Sequence, residues 1–280
     1  MWLCCAAQLE AVRRGKTATQ GDTMFKDATH RLSELEKSEQ EVRRASSAQL
    51  GNLLQYFRFL QETVLTALHN SGKPIPISTE KNNPILFAFI TTTRSIGVAK
   101  AAMDLATSGH PFEAIALSRV LTEIAECTQY LVRHPQLIDR FISGSLKFDQ
   151  VLKSSKSEKP KGSPYPYGHL RGIQSQFAHA SPNLLVLALS IDGPSLSSPI
   201  VVSNLTRIEE AAHGIATALL TQYVIFRITL QDALEPLELL AQRDALLFNP
   251  EHIREFLTSE TMPGELLASI RQALTEIRRA

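Results

Sequence analysis

The sequence predicts an all-α multi-helix bundle with a small β-hairpin-like insertion near residues 184–203. Apolar residues recur at three- and four-residue steps over several long stretches, which is the period of an amphipathic helix. Aromatic residues make up only 6% of a chain that is 44% hydrophobic, so aliphatic side chains must fill the core. Pro84 and Pro111 stand where a first helical residue is expected, the helix position that tolerates proline best.

The helical spacing divides the chain into four regions. Residues 1–22 lack periodicity and are expected to form a poorly ordered tail, and residues 23–83 contain a long helix, with a kink or break between Ser46 and Gly51, and a connection. The core bundle spans residues 84–234, and short helices opened by Pro250 and Pro263 follow in 235–280. Within the bundle we expect helices over 84–107, 111–132, 135–152, 167–180 and 205–234, a loop over 153–166, and a hairpin around Asp192-Gly193-Pro194.

Composition excludes several classes of protein. The 29 basic and 28 acidic residues leave a net charge of +1, so no global attraction to nucleic acid or to an anionic membrane is expected. Three cysteines, Cys4, Cys5 and Cys127, are too few for a disulfide framework or a cysteine zinc site. No sequence motif for a metal or a cofactor is present, so neither is predicted. The uncharged run Ala211–Phe226 is shorter than the roughly 20 residues of a membrane-spanning helix, which favours a soluble, cytoplasmic protein with no membrane contact.

The helix predicted over 111–132 carries the first candidate site. At 100° per residue, Arg119, Glu123, Glu126 and Tyr130 fall within about 60° of one another, opposite an aliphatic face. An ordinary solvated helix face explains this pattern as well as a site does. If another helix covers the face, the same residues become an oriented polar cluster that must be fully hydrogen-bonded.

The second candidate site lies on the helix predicted after Tyr165. One side of this helix is a narrow apolar stripe, and the other side carries His169, Gly172, Ser175, Gln176 and His179. Ser175 and His179 are one helical turn apart, so their side chains can form a hydrogen bond. The pair has neither an orienting acid nor a nucleophile elbow, so His179 is either a proton-transfer group or a structural histidine.

The two helices together resemble a known but uncharacterised family. The segments Arg119-Val-Leu-Thr-Glu123 and Ser175-Gln-Phe-Ala-His179-Ala-Ser181 are similar to the recurring marks of bacterial all-helical proteins classified only as a domain of unknown function. The resemblance covers roughly Pro84–Leu230. It implies a bundle in which the two polar faces meet, and it implies no assigned activity.

The architecture is also similar, more distantly, to the HEPN helical ribonucleases and nucleotide-binding proteins of toxin–antitoxin and phage-defence systems. Those enzymes use an arginine followed, four to six residues later, by a histidine on one helix. Here seven residues separate Arg171 from His179, and the two side chains diverge by about 80° on the helix. The resemblance implies that His179 is the general acid/base, with Arg119 or Arg171 supporting phosphate charge. The lysines between Lys153 and Lys161 would then contact phosphates, unless that segment is a solvated connection.

Three functions remain open at this stage. In the first, a polar seam is structural or binds a small polar ligand, in a protein of stress or phage defence. The members of this seam are Arg119, Glu123, Ser175 and His179, with Glu126, Tyr130 and His169. In the second, the protein is a metal-independent ribonuclease whose partner is RNA. In the third, the charged helix Arg31–Arg44 mediates self-association into a homo-oligomer.

Overall fold

The computed structural model describes residues 18–69, 82–157, 204–230 and 238–249. This part of the chain is 90% helical and contains no strand, which confirms the all-α class. The hairpin predicted within 184–203 lies outside the described residues and gains no support. The helices predicted over 167–180 and after Pro250 and Pro263 also lie outside them.

Eight α-helices and one short 3-10 helix, Pro135–Leu137, are present in the described residues. The α-helices are α1 Ala18–Gln49, α2 Gly51–His69, α3 Pro84–Thr107, α4 Pro111–Arg133, α5 Ile138–Ile142, α6 Phe148–Ser157, α7 Leu205–Leu230 and α8 Glu238–Leu247.

Some predicted boundaries are confirmed and others are wrong. A bend at Leu50 separates α1 from α2, as the Ser46–Gly51 break predicts, but α1 begins at Ala18, inside the expected tail. The single helix predicted over 135–152 is instead three short pieces, because Gly144 adopts a φ of 77° just after α5 and ends it. Helix α6 continues to Ser157, so Lys153 lies in a helix rather than in a loop.

The corner between α3 and α4 forms for local reasons. The side-chain oxygen of Asn83 accepts hydrogen bonds from the backbone N–H groups of Ile85 and Leu86, which caps the start of α3. At the other end, Gly109 has a φ of 89°, and the N–H of His110 donates to the carbonyl of Leu105 at 2.9 Å. This is a Schellman ending, which a residue with a Cβ adopts only with strain.

The core lies between α3, α4 and α7, which pack on one another most extensively. Helix α2 packs on α7 and α8, and α6 packs on the side of α4. Aliphatic side chains dominate the main cluster, in line with the composition. A second, smaller cluster joins the end of α4 to α5 and α6, and its buried members are Phe87, Cys127, Leu131, Ile138 and Val151.

Within the described residues, α3 is long and apolar enough by length and composition to cross a membrane, with a mean hydropathy of 1.3. One third of that hydropathy window is buried inside the protein. A core helix of a multi-helix fold passes the same test of length and composition. Helix α3 therefore does not decide between a membrane and an aqueous location, and a cytoplasmic protein remains a prediction.

Candidate functional site

The α4 charged face, which we define as Arg119, Glu123 and Glu126, is largely withdrawn from solvent. Arg119 Nε donates a hydrogen bond to Glu123 Oε1 at 2.9 Å, and each of these two side chains is only 17% exposed. Ion pairs on a solvated helix face are much more exposed, as Lys100 and Asp104 on α3 show at 67% and 59%. The face is therefore not an ordinary solvated helix surface.

Glu126 lies one turn further along α4 and is 4% exposed. It has an interaction partner, as a carboxylate at this depth requires, because an uncompensated buried charge is strongly unfavourable. Ser118 and Thr122, beside it on the helix, are also buried, and their hydroxyls donate to the carbonyls of Ile115 and Ser118. These two hydroxyls form hydrogen bonds to backbone carbonyls of their own helix. The charged side chains are therefore the groups on this face that can bind another molecule.

Helix α7 passes close to the start of the α4 charged face. A Cβ atom added at Gly214 would lie 3.7 Å from Ser118 Oγ, which is ordinary van der Waals contact. The two helices thus approach closely where α4 begins to present its polar residues.

Tyr130, the fourth residue of the predicted polar face, packs against aromatic and apolar neighbours. Its ring lies 4.5 Å from the ring of His134, centroid to centroid, and it packs against the second hydrophobic cluster. A place for the Tyr130 hydroxyl in the polar network stays a prediction.

The predicted residues of the second polar face lie outside the described residues. These are His169, Arg171, Ser175 and His179. Whether they meet the α4 charged face stays a prediction, and so does any catalytic role for His179, Arg119 or Arg171.

A polar cluster that sequence reasoning missed joins α7 to α8. Tyr223 donates from its hydroxyl to Asp244 Oδ1 at 2.5 Å, and Arg227 donates from Nε and Nη2 to Asp244 Oδ2 at 3.1 and 2.9 Å. Burial, with the charge of Asp244, holds the pKa of the Tyr223 phenol well above its ordinary value, so the phenol remains a hydrogen-bond donor. The one-turn spacing of Tyr223 and Arg227 is visible in the sequence, but nothing in the sequence connects them to Asp244.

A second buried contact joins α3 to α7. Gln222 is fully buried and donates from Nε2 to the hydroxyls of Thr92, at 2.9 Å, and Thr91, at 3.3 Å. Its Oε1 atom is buried and has no hydrogen-bond partner in the part of the chain that the structure describes. A polar group in this state is costly, so Gln222 aligns the two helices at the expense of stability.

His213 of α7 lies 3.5 Å from Glu209, one turn earlier, and its side chain is 12% exposed. Burial lowers the pKa of His213, and the neighbouring Glu209 carboxylate opposes that change. At neutral pH the imidazole is therefore neutral in the folded protein, which suits a core histidine.

The arginine and carboxylates of the α4 charged face can hydrogen-bond a polar group. No group of three potential metal ligands exists among residues 18–69, 82–157, 204–230 and 238–249. What these residues define is an all-α protein with a charged pair and a buried carboxylate on one of its three central helices. Comparisons with protein-family models, with curated proteins and with solved structures give no match. The resemblances drawn from the Arg119 and His179 motifs thus remain predictions.

Proposed function

We propose that this protein is a helical-bundle binding protein that holds a small polar ligand at the α4 charged face. The observation that carries the proposal is the low exposure of a formed ion pair, Arg119–Glu123, next to the still more buried Glu126. Withdrawing three ionisable side chains from water costs folding free energy, and hydrophobic residues would pack there at least as stably. A binding role explains why these three side chains are present, because their hydrogen-bonding groups can then contact a ligand.

Charge favours one class of ligand. The three side chains carry one formal positive and two formal negative charges, which gives a net formal charge of −1 on this face. A ligand with an amino group or several hydrogen-bond donors complements that charge, whereas an anionic ligand is repelled by it.

The same geometry speaks against the α4 helix as a phosphate site for RNA cleavage. The guanidinium of Arg119 is already paired with Glu123 at 2.9 Å, and this carboxylate offsets the positive charge that a phosphate would need. The ribonuclease alternative therefore depends on Arg171 and His179, which lie outside the described residues.

The proposal is tested by ligand-induced stabilisation of the full-length protein. Melting temperatures are measured with a panel of amines, amino acids, sugars and nucleotides for the wild type, for Glu123→Gln and for the control Glu113→Gln. Glu113 is an exposed glutamate in the first turn of the same helix. A cationic or donor-rich compound at about 100 times its dissociation constant stabilises the folded state by about 2.7 kcal/mol.

The expected result is a rise in melting temperature for the wild type and for Glu113→Gln, and a much smaller rise for Glu123→Gln. The same three proteins and His179→Ala are incubated with RNA in chelator. Cleavage by the wild type that is lost in His179→Ala, with unchanged melting, would replace this proposal by the ribonuclease alternative. A ligand that stabilises Glu123→Gln as strongly as the wild type would overturn it.

A further inference from the structure

The relative depth of residues in the three central helices follows from the α3–α4 corner. Thr92 of α3 lies as many residues before Gly109, at that corner, as Glu126 of α4 lies after it. Because α3 and α4 pack as an antiparallel pair, Thr92 and Glu126 lie at the same depth in the bundle. Gln222 of α7 donates to Thr92 Oγ1 at 2.9 Å, so it lies at that depth as well.

Helix α7 runs parallel to α4. Gly214 of α7 approaches Ser118 of α4, where a Cβ atom added to the glycine would lie 3.7 Å from the serine Oγ. Gln222 follows Gly214 by the same number of residues as Glu126 follows Ser118. Two levels with equal spacing fix both the direction and the register of α7 against α4.

On the side away from α3, both helices of this pair carry polar residues. At 100° per residue, Arg119 is turned about 100° from Ser118, away from the buried aliphatic side of α4. His213 is turned about 100° from Gly214, in the direction opposite to Gln222, which bonds to α3. For parallel helices, these opposite turns lead to the same groove, so Arg119 and His213 lie on its two walls.

We call this surface the α4–α7 groove, and its lining residues are Arg119, Thr122, Glu126, His213 and Thr217. Thr122, Glu126 and Thr217 are buried, and Arg119 and His213 are only 17% and 12% exposed. In a groove so far withdrawn from water, hydrogen bonds and charge interactions with a bound polar group are stronger than at an open surface.

His213 supplies an unused hydrogen-bonding atom in this groove. Its Nε2 lies 3.5 Å from the Glu209 carboxylate, which favours the hydrogen on that nitrogen in the neutral ring. Nδ1 then carries a lone pair and is an acceptor. Nδ1 is buried and has no hydrogen-bond partner within the described part of the chain. A buried acceptor without a donor destabilises the fold, and a donor group on a ligand would offset that cost.

The charge of the two walls identifies a class of ligand. The α4 charged face has a net formal charge of −1. On α7, Glu209 lies beside the neutral His213, whereas Glu210 is paired with Arg207 at 2.7 Å, so this wall adds a second formal charge of −1. Negative charge on both walls complements a ligand that carries a positive charge at each end.

We propose that the α4–α7 groove binds a linear diamine, with one ammonium group at the carboxylates of the α4 charged face and the other donating a hydrogen bond to Nδ1 of His213. This inference rests on the binding function proposed above and adds α7 as the second wall of that site. In the register set by Ser118 and Gly214, Glu123 and His213 lie about 9 Å apart along the groove at 1.5 Å per residue. Two amino groups joined by a short alkyl chain span such a distance once the glutamate side chain reaches toward the ligand.

Isothermal titration calorimetry of the full-length protein tests the proposal with two probes, the diamine putrescine and the monoamine butylamine. The wild type is expected to bind putrescine at least about tenfold more tightly than butylamine, because only the diamine contacts both walls. This comparison uses the wild type alone, so it decides the matter even if a substitution impairs folding.

Substitutions of His213 test which atom binds the second ammonium group. His213→Gln keeps a polar group near Nε2 but removes the acceptor at Nδ1, so it is expected to lose the preference for putrescine. His213→Asn places its amide oxygen near the position of Nδ1, so it is expected to retain most of that preference. His30→Gln, at a site that is 73% exposed, is the control and is expected to bind as the wild type does. Melting curves without amine verify that the variants are folded.

The outcomes distinguish this inference from the proposal on which it rests. Equal affinities of the wild type for putrescine and butylamine, or an unchanged preference in folded His213→Gln, would overturn the diamine inference. The binding function would still stand if another donor-rich compound binds the wild type and loses affinity in Glu123→Gln. If neither amine nor any other compound of the panel binds, both proposals are wrong.

Discussion

Asp244→Ala is expected to destabilise the protein far more than its position on a short helix suggests. Asp244 accepts one hydrogen bond from Tyr223 and two from Arg227, and it thereby ties α8 to α7. Tyr223 is fully buried, so its hydroxyl loses its acceptor when the carboxylate is removed. An orphaned buried hydroxyl costs roughly 1–3 kcal/mol.

The lost pairing with Arg227 adds less. Arg227 and Asp244 are 24% and 19% exposed, so water rehydrates part of the guanidinium and the loss is about 0.5–1 kcal/mol. The total is roughly 2–4 kcal/mol, which corresponds to a fall in melting temperature of about 3–7 °C for a chain of 280 residues.

Urea denaturation and thermal melting of Asp244→Ala measure this loss, with Asp104→Ala as the matched control. Asp104 also pairs with a cation, Lys100 at 2.8 Å, but both side chains are well exposed, so its removal is expected to cost under about 1 kcal/mol. Equal losses for the two variants would refute the reasoning from burial.

Three further predictions concern other buried groups. Because burial lowers the pKa of His213 in the folded state, the unfolded chain takes up a proton at this histidine first on acidification, and stability present above about pH 6.5 falls below that pH. Melting temperatures are compared at about pH 7.5 and 5.5. The fall in melting temperature is expected to be smaller for His213→Gln than for the wild type or for the exposed-site variant His30→Gln. Thr92→Val is expected to lower the free energy of unfolding by about 1 kcal/mol by removing the shorter of the two hydrogen bonds that the Gln222 amide donates, and Gln222→Leu combined with it is expected to recover most of that loss in urea denaturation. Burial raises the pKa of the Cys127 thiol to about 12, so peptide mapping after iodoacetamide treatment is expected to find Cys127 alkylated only in denaturant.

Local sequence signals predicted the α3–α4 corner correctly. Asn83 and Pro84 start α3, and Gly109 followed by Pro111 ends α3 and starts α4. These few neighbouring residues are enough to determine where the two helices begin and end. The segment 135–152 was predicted wrongly because its helical spacing outweighed the Gly144 break, although the glycine is visible in the sequence.

The charged face of α4 was predictable only in part. Helical geometry brings Arg119 and Glu123 together wherever such a helix forms, and the 2.9 Å contact agrees. Their low exposure depends on what packs around α4, which periodicity does not reveal. The Asp244 cluster was missed for the same reason, since tertiary packing alone joins α8 to Tyr223 and Arg227.

The central claim is that the α4 charged face is a polar site withdrawn from water rather than a solvated surface. A double-mutant cycle on the pair tests it most directly, with Arg119→Met, Glu123→Gln and the double variant measured by urea denaturation. A control cycle uses Lys100→Met and Asp104→Asn, a pair with the same one-turn spacing but high exposure.

Exposed pairs of this spacing couple by about 0.3–0.5 kcal/mol. The account predicts a coupling free energy above about 1 kcal/mol for Arg119 and Glu123, at least twice that of the control pair. Equal coupling free energies in the two cycles would contradict the account, because they would show that water screens the Arg119–Glu123 pair as it screens an ordinary surface ion pair.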